Sequence, residues 1–395
     1  MRIILLSLIN LAILSSCSEG SKSMEERAID QLKSQVLSKA KLFILEEPIT
    51  VTSDSCERSA GGLHDFYSEG DYWWPDPDNP DGPYIRKDGL TNPDNFVAHR
   101  TSLMRFSEIV GTLTSAYMIT KNKEYAVSAL KHCRAWLIDP ETSMNPHFLY
   151  SQAIKGRYTG RGIGIIDAIH FMDIAQSLKV LEHAGEISKS DASAYRNWFG
   201  QLIDWLTTHP YGIAERDWYN NHGTWWNTQV ASYASYVEDE AVMRFCIENF
   251  KTNLLPSQTS ADGSFHEEVA RTKPYSYSLF NLDAMGMFCL IASDEHNDLW
   301  TYETEGKSIA KALAYMSPYI KDKQAWPYDP DVQYWDNWPV AHPSYLFGAI
   351  ALENETYFEN WKDNKHFLEE YEIRRTVANK SPIIWLDELN VESYD

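Results

Sequence analysis

The chain has 395 residues, 44% hydrophobic, 13% aromatic and 23% charged, with 17 Pro and 19 Gly, which excludes collagen-like, low-complexity and wholly disordered classes. Lys plus Arg total 35 against 56 Asp plus Glu, a formal net charge of −21. Such an acidic surface argues against nucleic acid as a partner, because phosphate contacts need clustered cations, yet it leaves room for a local cationic cleft and an anionic substrate. The aromatic excess (14 Trp, 23 Tyr, 15 Phe) fits flat faces that grip sugar rings, alongside aromatics packed in a helical core.

In chain order the first element is an address. Arg2 precedes an apolar run over 3–14, followed by Ser15-Ser16-Cys17. A cationic start, a short apolar run and small residues read as a secretory signal, and the run is too short to span a bilayer of about 30 Å. Leu14-Ser15-Ser16-Cys17 resembles a bacterial lipobox. That resemblance implies a signal peptide over 1–16, lipidation of Cys17 and a tether over 17–23. The expectation is an exported lipoprotein of a Gram-negative bacterium, periplasmic or outer-membrane associated, touching the membrane through its lipid anchor only. Cys56, Cys133, Cys246 and Cys289 form no CxxC pair, so a zinc site built from them is not expected. The last three lie in apolar helical stretches and read as buried thiols.

Behind the tether, 24–45 reads as a helix and 46–95 as a long irregular stretch dense in Pro, Gly and Asp, which in a compact protein is usually functional. Leu103, Phe106, Ile109, Val110, Leu113, Ala116 and Tyr117 then recur at helical steps, and a second helix carries Tyr125, Ala126, Leu130, Cys133, Trp136 and Leu137 after a turn at 120–123. Comparable helices are predicted near 165–184, 190–207, 226–235, 238–253, 275–292, 306–316 and 341–351. An alternating strand pattern is almost absent before the last residues. Helix pairs on short turns predict an all-α fold, an (α/α) toroid or incomplete α/α barrel, with 24–395 as a single domain. A helical-repeat solenoid is the alternative.

Four segments carry candidate chemistry. Asp71-Tyr72-Trp73-Trp74-Pro75-Asp76-Pro77 locks consecutive aromatics on a loop, where Trp73 and Trp74 suit stacking on sugar rings or plugging the barrel. The Gly-rich stretch 150–164 lacks GxGxxG spacing and no strand pattern precedes it, so dinucleotide binding is discarded. It presents Gln152, Lys155, Arg157 and Arg161 as a site for carboxylates, or as a solvated helix cap. Asn220-Asn221-His222-Gly223-Thr224-Trp225-Trp226 sets two amides beside a histidine at a helix start, and an amide donates to an anion without a counter-charge. Arg271 stands six residues ahead of Tyr277, whose hydroxyl becomes useful for proton transfer when cations lower its pKa. His266-Glu267 is not HExxH, and no metal cluster is evident.

Together these blocks resemble the alginate lyase superfamily of helical-barrel polysaccharide lyases, closest to the branch classed as polysaccharide lyase family thirty-eight, which acts on alginate and glucuronan. The resemblance runs over about 67–302. It rests on Trp73-Trp74-Pro75-Asp76-Pro77, Thr159-Gly160-Arg161-Gly162-Ile163-Gly164, Asn220-Asn221-His222-Gly223-Thr224-Trp225, and Arg271 with Tyr277-Ser278-Leu279-Phe280-Asn281-Leu282. It implies cleavage of 1,4-linked uronate polymers (alginate, polymannuronate, glucuronan) by β-elimination, leaving 4,5-unsaturated ends and needing no cofactor or metal. By the same resemblance Asn221, His222, Arg271 and Tyr277 fall on catalytic positions, and Trp73, Trp74, Gln152, Arg161, Trp226 and Tyr275 are expected at subsites. Asn221 and Arg271 would neutralise the uronate carboxylate. Tyr277 would protonate the glycosidic oxygen, and would also act as base where proton and leaving oxygen share a face; His222 would be the base where they oppose.

Two readings of another class compete. An α/α-barrel glycoside hydrolase would use paired carboxylates from Asp167, Glu267 or Glu268. A non-catalytic glycan-binding surface lipoprotein would bind without turnover.

Overall fold

A computed structural model describes residues 22–389 of the chain. Cys17 and the signal sequence lie outside the described residues.

Helix α1 (Met24–Phe43) opens the structure, and after a long irregular segment come α2 (Ala98–Thr120) and α3 (Lys123–Leu137). Next are α4 (Phe171–His183), α5 (Lys189–Thr208), α6 (Pro210–Arg216), α7 (Asn221–Val237) and α8 (Glu240–Asn249). Short α9 (Leu255–Gln258) and α10 (His266–Val269) precede α11 (Pro274–Ala292) and α12 (Ile309–Lys321). The last three are α13 (Pro343–Ala351), α14 (Glu355–Lys362) and α15 (Tyr371–Thr376).

The helices form two layers. Helix α2 packs on α4, α4 on α7, α7 on α11 and α11 on α13, while α1 touches both α13 and α2, so the succession closes on itself. Outside it, α3 covers α2, α5 and α8 cover α7, and α12 and α14 cover α13. This is the all-α toroid that the sequence predicts.

The layering follows from composition. The sequence of α11, PYSYSLFNLDAMGMFCLIA, is apolar on nearly every face, and such a helix must be enclosed. By contrast α8 fully buries only Cys246, as suits an outer helix with one apolar stripe. Polar groups on the inner helices are stabilised by partners across the interface. Asp283 of α11 accepts from the Ser344 N–H and hydroxyl (3.2 and 2.6 Å) and lies 2.7 Å from His342 Nδ1. A Cβ on Gly286 would meet Ser344 Cβ at 2.9 Å, so α11 and α13 need glycine there to approach this closely. The four cysteines among the described residues are free thiols, and all but Cys56 are buried.

Several boundaries differ from the sequence prediction. Helix α7 begins at Asn221, ahead of the predicted 226, because the Asn220 side chain caps it by accepting from the His222 N–H at 3.3 Å. The region near 165 is 3₁₀ over Gly162–His170 before α4 begins, and Pro382–Leu389, near the end, is also 3₁₀ rather than strand. Two small sheets were not anticipated. Strand β1 (Tyr67–Glu69) pairs in parallel with a later strand over Tyr150–Ala153, and between them β2 (Trp73–Trp74) pairs antiparallel with β3 (Ile85–Arg86). The Tyr150–Ala153 strand, β4, therefore opens the Gly-rich stretch where no strand was expected; at four residues it is too short to show alternation.

Candidate active site

One cleft of about 590 Å³ gathers most of the residues singled out in the sequence. Trp73, Gln152, Arg161, Asn221, His222, Arg271 and Tyr277 all line it. The loop carrying β2 and β3 brings one wall, the Gly-rich stretch and the 3₁₀ segment after it another, and the starts of α7 and α11 a third, with α15 adding Arg375.

Tyr277 stands in the first turn of α11. Its hydroxyl is 2.7 Å from the Tyr72 hydroxyl and 3.5 Å from Arg271 Nη2, and the Arg271 guanidinium lies 4.5 Å from the centre of its ring. Burial pushes Tyr277 up to about 12, against the opposing pulls of Arg271 and the Tyr72 hydrogen bond. The cation beside this hydroxyl does lower it, as expected from sequence, but desolvation outweighs that pull. Arg271 is steadied by Asp88 at 3.3 and 3.4 Å. Burial lifts Asp88, but Arg271 and Arg86 outweigh it and hold the carboxyl below its ordinary value.

On α7, each polar side chain facing the cleft rests on a buried carboxylate. His222 Nδ1 lies 2.6 Å from Glu215 Oε1, and Glu215 is buried at the end of α6. A carboxylate there selects the tautomer protonated on Nδ1 and leaves Nε2 able to accept a proton. Asn221 donates its backbone N–H and its side-chain amide to Glu268 Oε1, each at 2.8 Å, which fixes the amide's orientation. Burial raises the Glu268 carboxyl, with the two Asn221 hydrogen bonds opposing.

The Gly-rich wall contributes a cation of another kind. Arg161 donates to the Gln152 carbonyl at 2.9 Å and to Gln152 Oε1 at 3.2 Å, and has no carboxylate within ion-pair distance among the described residues. Burial pulls its guanidinium down to about 10, with Asp71 and Glu215 opposing. Gln152 itself sits at φ 47°, a left-handed conformation that costs a non-glycine residue about 1 kcal/mol or more and marks a constrained wall.

Three predicted subsite residues lie elsewhere. Tyr275 is fully buried, packed against Trp326 and Trp335, and donates its hydroxyl to the Tyr319 carbonyl at 2.9 Å. Two residues apart on one helix, Tyr275 and Tyr277 point to different sides, so only one can reach the cleft. Trp226 is buried under the end of α5, its Nε1 donating to the Leu206 carbonyl at 3.3 Å. Trp74 packs within its own loop, donating to the Leu90 carbonyl at 2.9 Å with Lys87 over its ring. The carboxylates of the hydrolase reading do not form a free pair. Asp167 is tied to Arg100 (3.1 Å) and Ser68 (2.5 Å), Glu268 is tied to Asn221, and Glu267 is not among the cleft residues.

Sequence reading missed Tyr72, Glu215, Asp88 and Arg375. Tyr72 stands in the aromatic loop motif, which is a signal for it; the other three carry no local signal. Arg375 lines the cleft from α15, paired with Glu372 (2.8 Å) and Asp71 (3.4 Å).

The chain matches the alginate lyase family model over residues 50–326. No curated protein matches it. Among solved structures, an alginate lyase from Bacteroides ovatus is similar at 29% identity with a TM-score of 0.79, covering 92% of this chain and 97% of that one. A histidine-to-alanine variant of alginate lyase A1-III, complexed with a tetrasaccharide, shares the fold at 14% identity and a TM-score of 0.52, over 78% and 83% of the two chains. Alginate lyase A1-III from Sphingomonas species A1 gives 15% identity and a TM-score of 0.50, over 82% and 89%.

Proposed function

The chain belongs to the alginate lyase family of polysaccharide lyases, and from that premise we propose that it cleaves 1,4-linked uronate polymers by β-elimination. Alginate, polymannuronate and glucuronan are the substrates we propose, with placement in polysaccharide lyase family thirty-eight resting on the motif blocks. The observation that carries the reading is that Tyr277, His222, Asn221 and Arg271 all line one cleft, each held by a neighbouring polar group.

Elimination removes the C5 proton of the uronate, forms the C4=C5 double bond and breaks the bond from C4 to the glycosidic oxygen, which takes up a proton. The C5 proton is weakly acidic while the carboxylate keeps its full charge. In this mechanism the Asn221 amide and the Arg271 guanidinium neutralise that carboxylate and stabilise the enolate-like state, usually the largest contribution to such catalysis. Tyr277, pushed up to about 12, is a phenol at neutral pH and so begins as the proton donor to the leaving oxygen. Where the C5 proton lies on the opposite face, His222 Nε2 takes it while Glu215 steadies the imidazolium. Where both lie on one face, Tyr277 first loses its proton to solvent; the phenolate, with the Tyr72 hydroxyl donating to it, takes the C5 proton and returns it to the leaving oxygen. Arg161, half-buried and with no carboxylate within ion-pair distance among the described residues, suits a neighbouring sugar carboxylate, and Trp73 offers a stacking face. The lipobox supports an exported, lipid-anchored protein on the basis of sequence.

The test incubates the protein with alginate, polymannuronate, polyguluronate and glucuronan and follows the ultraviolet absorbance of the new double bond. We expect absorbance to rise with wild type, to be lost in Tyr277→Phe, and to be lost in His222→Ala on at least one polymer. New reducing ends without absorbance would transfer the reading to a hydrolase. Binding with neither signal would make it a glycan-binding protein.

A further inference from the structure

A second pocket, about 420 Å³, opens beside β1 and β4 and is lined by Arg58, Glu69, Lys155, Arg157 and Tyr158 among others. Arg58 is neutralised by Glu69 through two contacts of 2.6 and 2.7 Å. Lys155 and Arg157 have no carboxylate within ion-pair distance among the described residues; the lysine lies 5.7 Å from the ring centre of Tyr84, and Arg157 Nε donates to the Tyr84 carbonyl at 2.8 Å. Tyr158 is 58% exposed. In a chain of net charge −21, a pocket with two cations left over and an open aromatic face is a local reversal of sign.

The turn that presents these groups is built, not loose. Ile154 and Tyr158 exchange backbone hydrogen bonds at 2.8 and 3.0 Å, and Gly156 between them has φ 73°. A Cβ at Gly156 would meet Pro83 Cα at 2.9 Å, and the Tyr84 N–H donates to the Lys155 carbonyl at 3.1 Å. The turn is thus clamped to the 83–84 segment, so its cations are positioned before any ligand arrives. It also adjoins the cleft. The Arg157 guanidinium lies 5.4 Å from the Trp73 ring, and Arg161, inside the cleft, lies 6.0 Å from the same ring.

We propose that this pocket is an accessory subsite for a carboxylate-bearing sugar unit of the polymer whose cleaved bond lies in the main cleft. The proposal rests on the uronate reading above. It makes Lys155 the carboxylate partner and Tyr158 the stacking face, with Arg157, which lines the pocket and lies over the Trp73 ring of the cleft, joining the two along the path of the chain.

The test compares the KM of alginate polymer with that of an alginate trisaccharide, in wild type and in Lys155→Ala and Tyr158→Ala variants whose melting temperatures match wild type. The polymer-to-trisaccharide KM ratio is expected to rise about ten-fold in Lys155→Ala, the worth of one charge-assisted hydrogen bond. An unchanged ratio in both variants overturns the subsite. If no uronan is eliminated at all, the functional reading fails separately. Calorimetric titration with a long alginate oligomer then decides the pocket: weaker binding by Lys155→Ala supports it, and equal affinity overturns it.

Discussion

At His222 the imidazole serves as a base only if one nitrogen is held and the other left open, and the buried Glu215 carboxylate, 2.6 Å from Nδ1, does the holding. Glu215→Gln keeps the size but offers a neutral group that can donate as well as accept, so it no longer enforces the tautomer or offsets the imidazolium. We expect kcat to fall at least about ten-fold on polymers that use His222 as base, with KM nearly unchanged. Equal kcat for Glu215→Gln and wild type on every polymer would show that His222 needs no partner. Sequence could not have supplied this pair. Glu215 and His222 are seven residues apart, but on α6 and α7 with the Asn220 cap between them, so no helical spacing relates them. Tyr72 and Tyr277 likewise meet across 205 positions. What sequence did supply were the residues whose type and local company are unusual: Asn221 beside His222, and Arg271 ahead of Tyr277.

The same division holds for the elements. Inner helices α2, α7 and α11 were legible because long apolar runs at helical spacing have one solution, enclosure. Helices α6, α14 and α15 are short, from 6 to 8 residues, and their patterns cannot be told from loops without the surfaces they pack on. Nor does sequence reveal how α11 is anchored. The Tyr275 and Ser276 N–H groups, left open in its first turn, both donate, at 2.9 and 3.1 Å, to Asp331, which lies in a loop 56 and 55 positions later. That borrowed cap fixes the turn from which Tyr277 projects. Asp331→Ala is predicted to cost about 1 to 2 kcal/mol in stability, read as a lower urea midpoint, and to reduce kcat because Tyr277 loses its fixed position. A variant with unchanged midpoint and kcat would show that α11 is held by core packing alone.

For the whole molecule, charge acts in opposite directions at long and short range. The net charge of −21 would repel the proposed polyanionic substrate at a distance, while Arg86, Arg161, Arg271 and Arg375 line the cleft against Asp71, Asp88 and Asp167. Far-field repulsion is screened first. Raising salt from about 10 mM to about 150 mM shortens the screening length from about 30 Å to about 8 Å, which removes most of that repulsion but leaves contacts within the cleft largely intact. The expected result is that kcat/KM on alginate polymer rises over this range and falls only at higher salt, when the contacts themselves weaken. A trisaccharide, with fewer charges to repel, should show a shallower rise. If kcat/KM instead falls steadily from the lowest salt, the approaching polymer responds to the cleft arginines alone, and the acidic exterior has no part in capture.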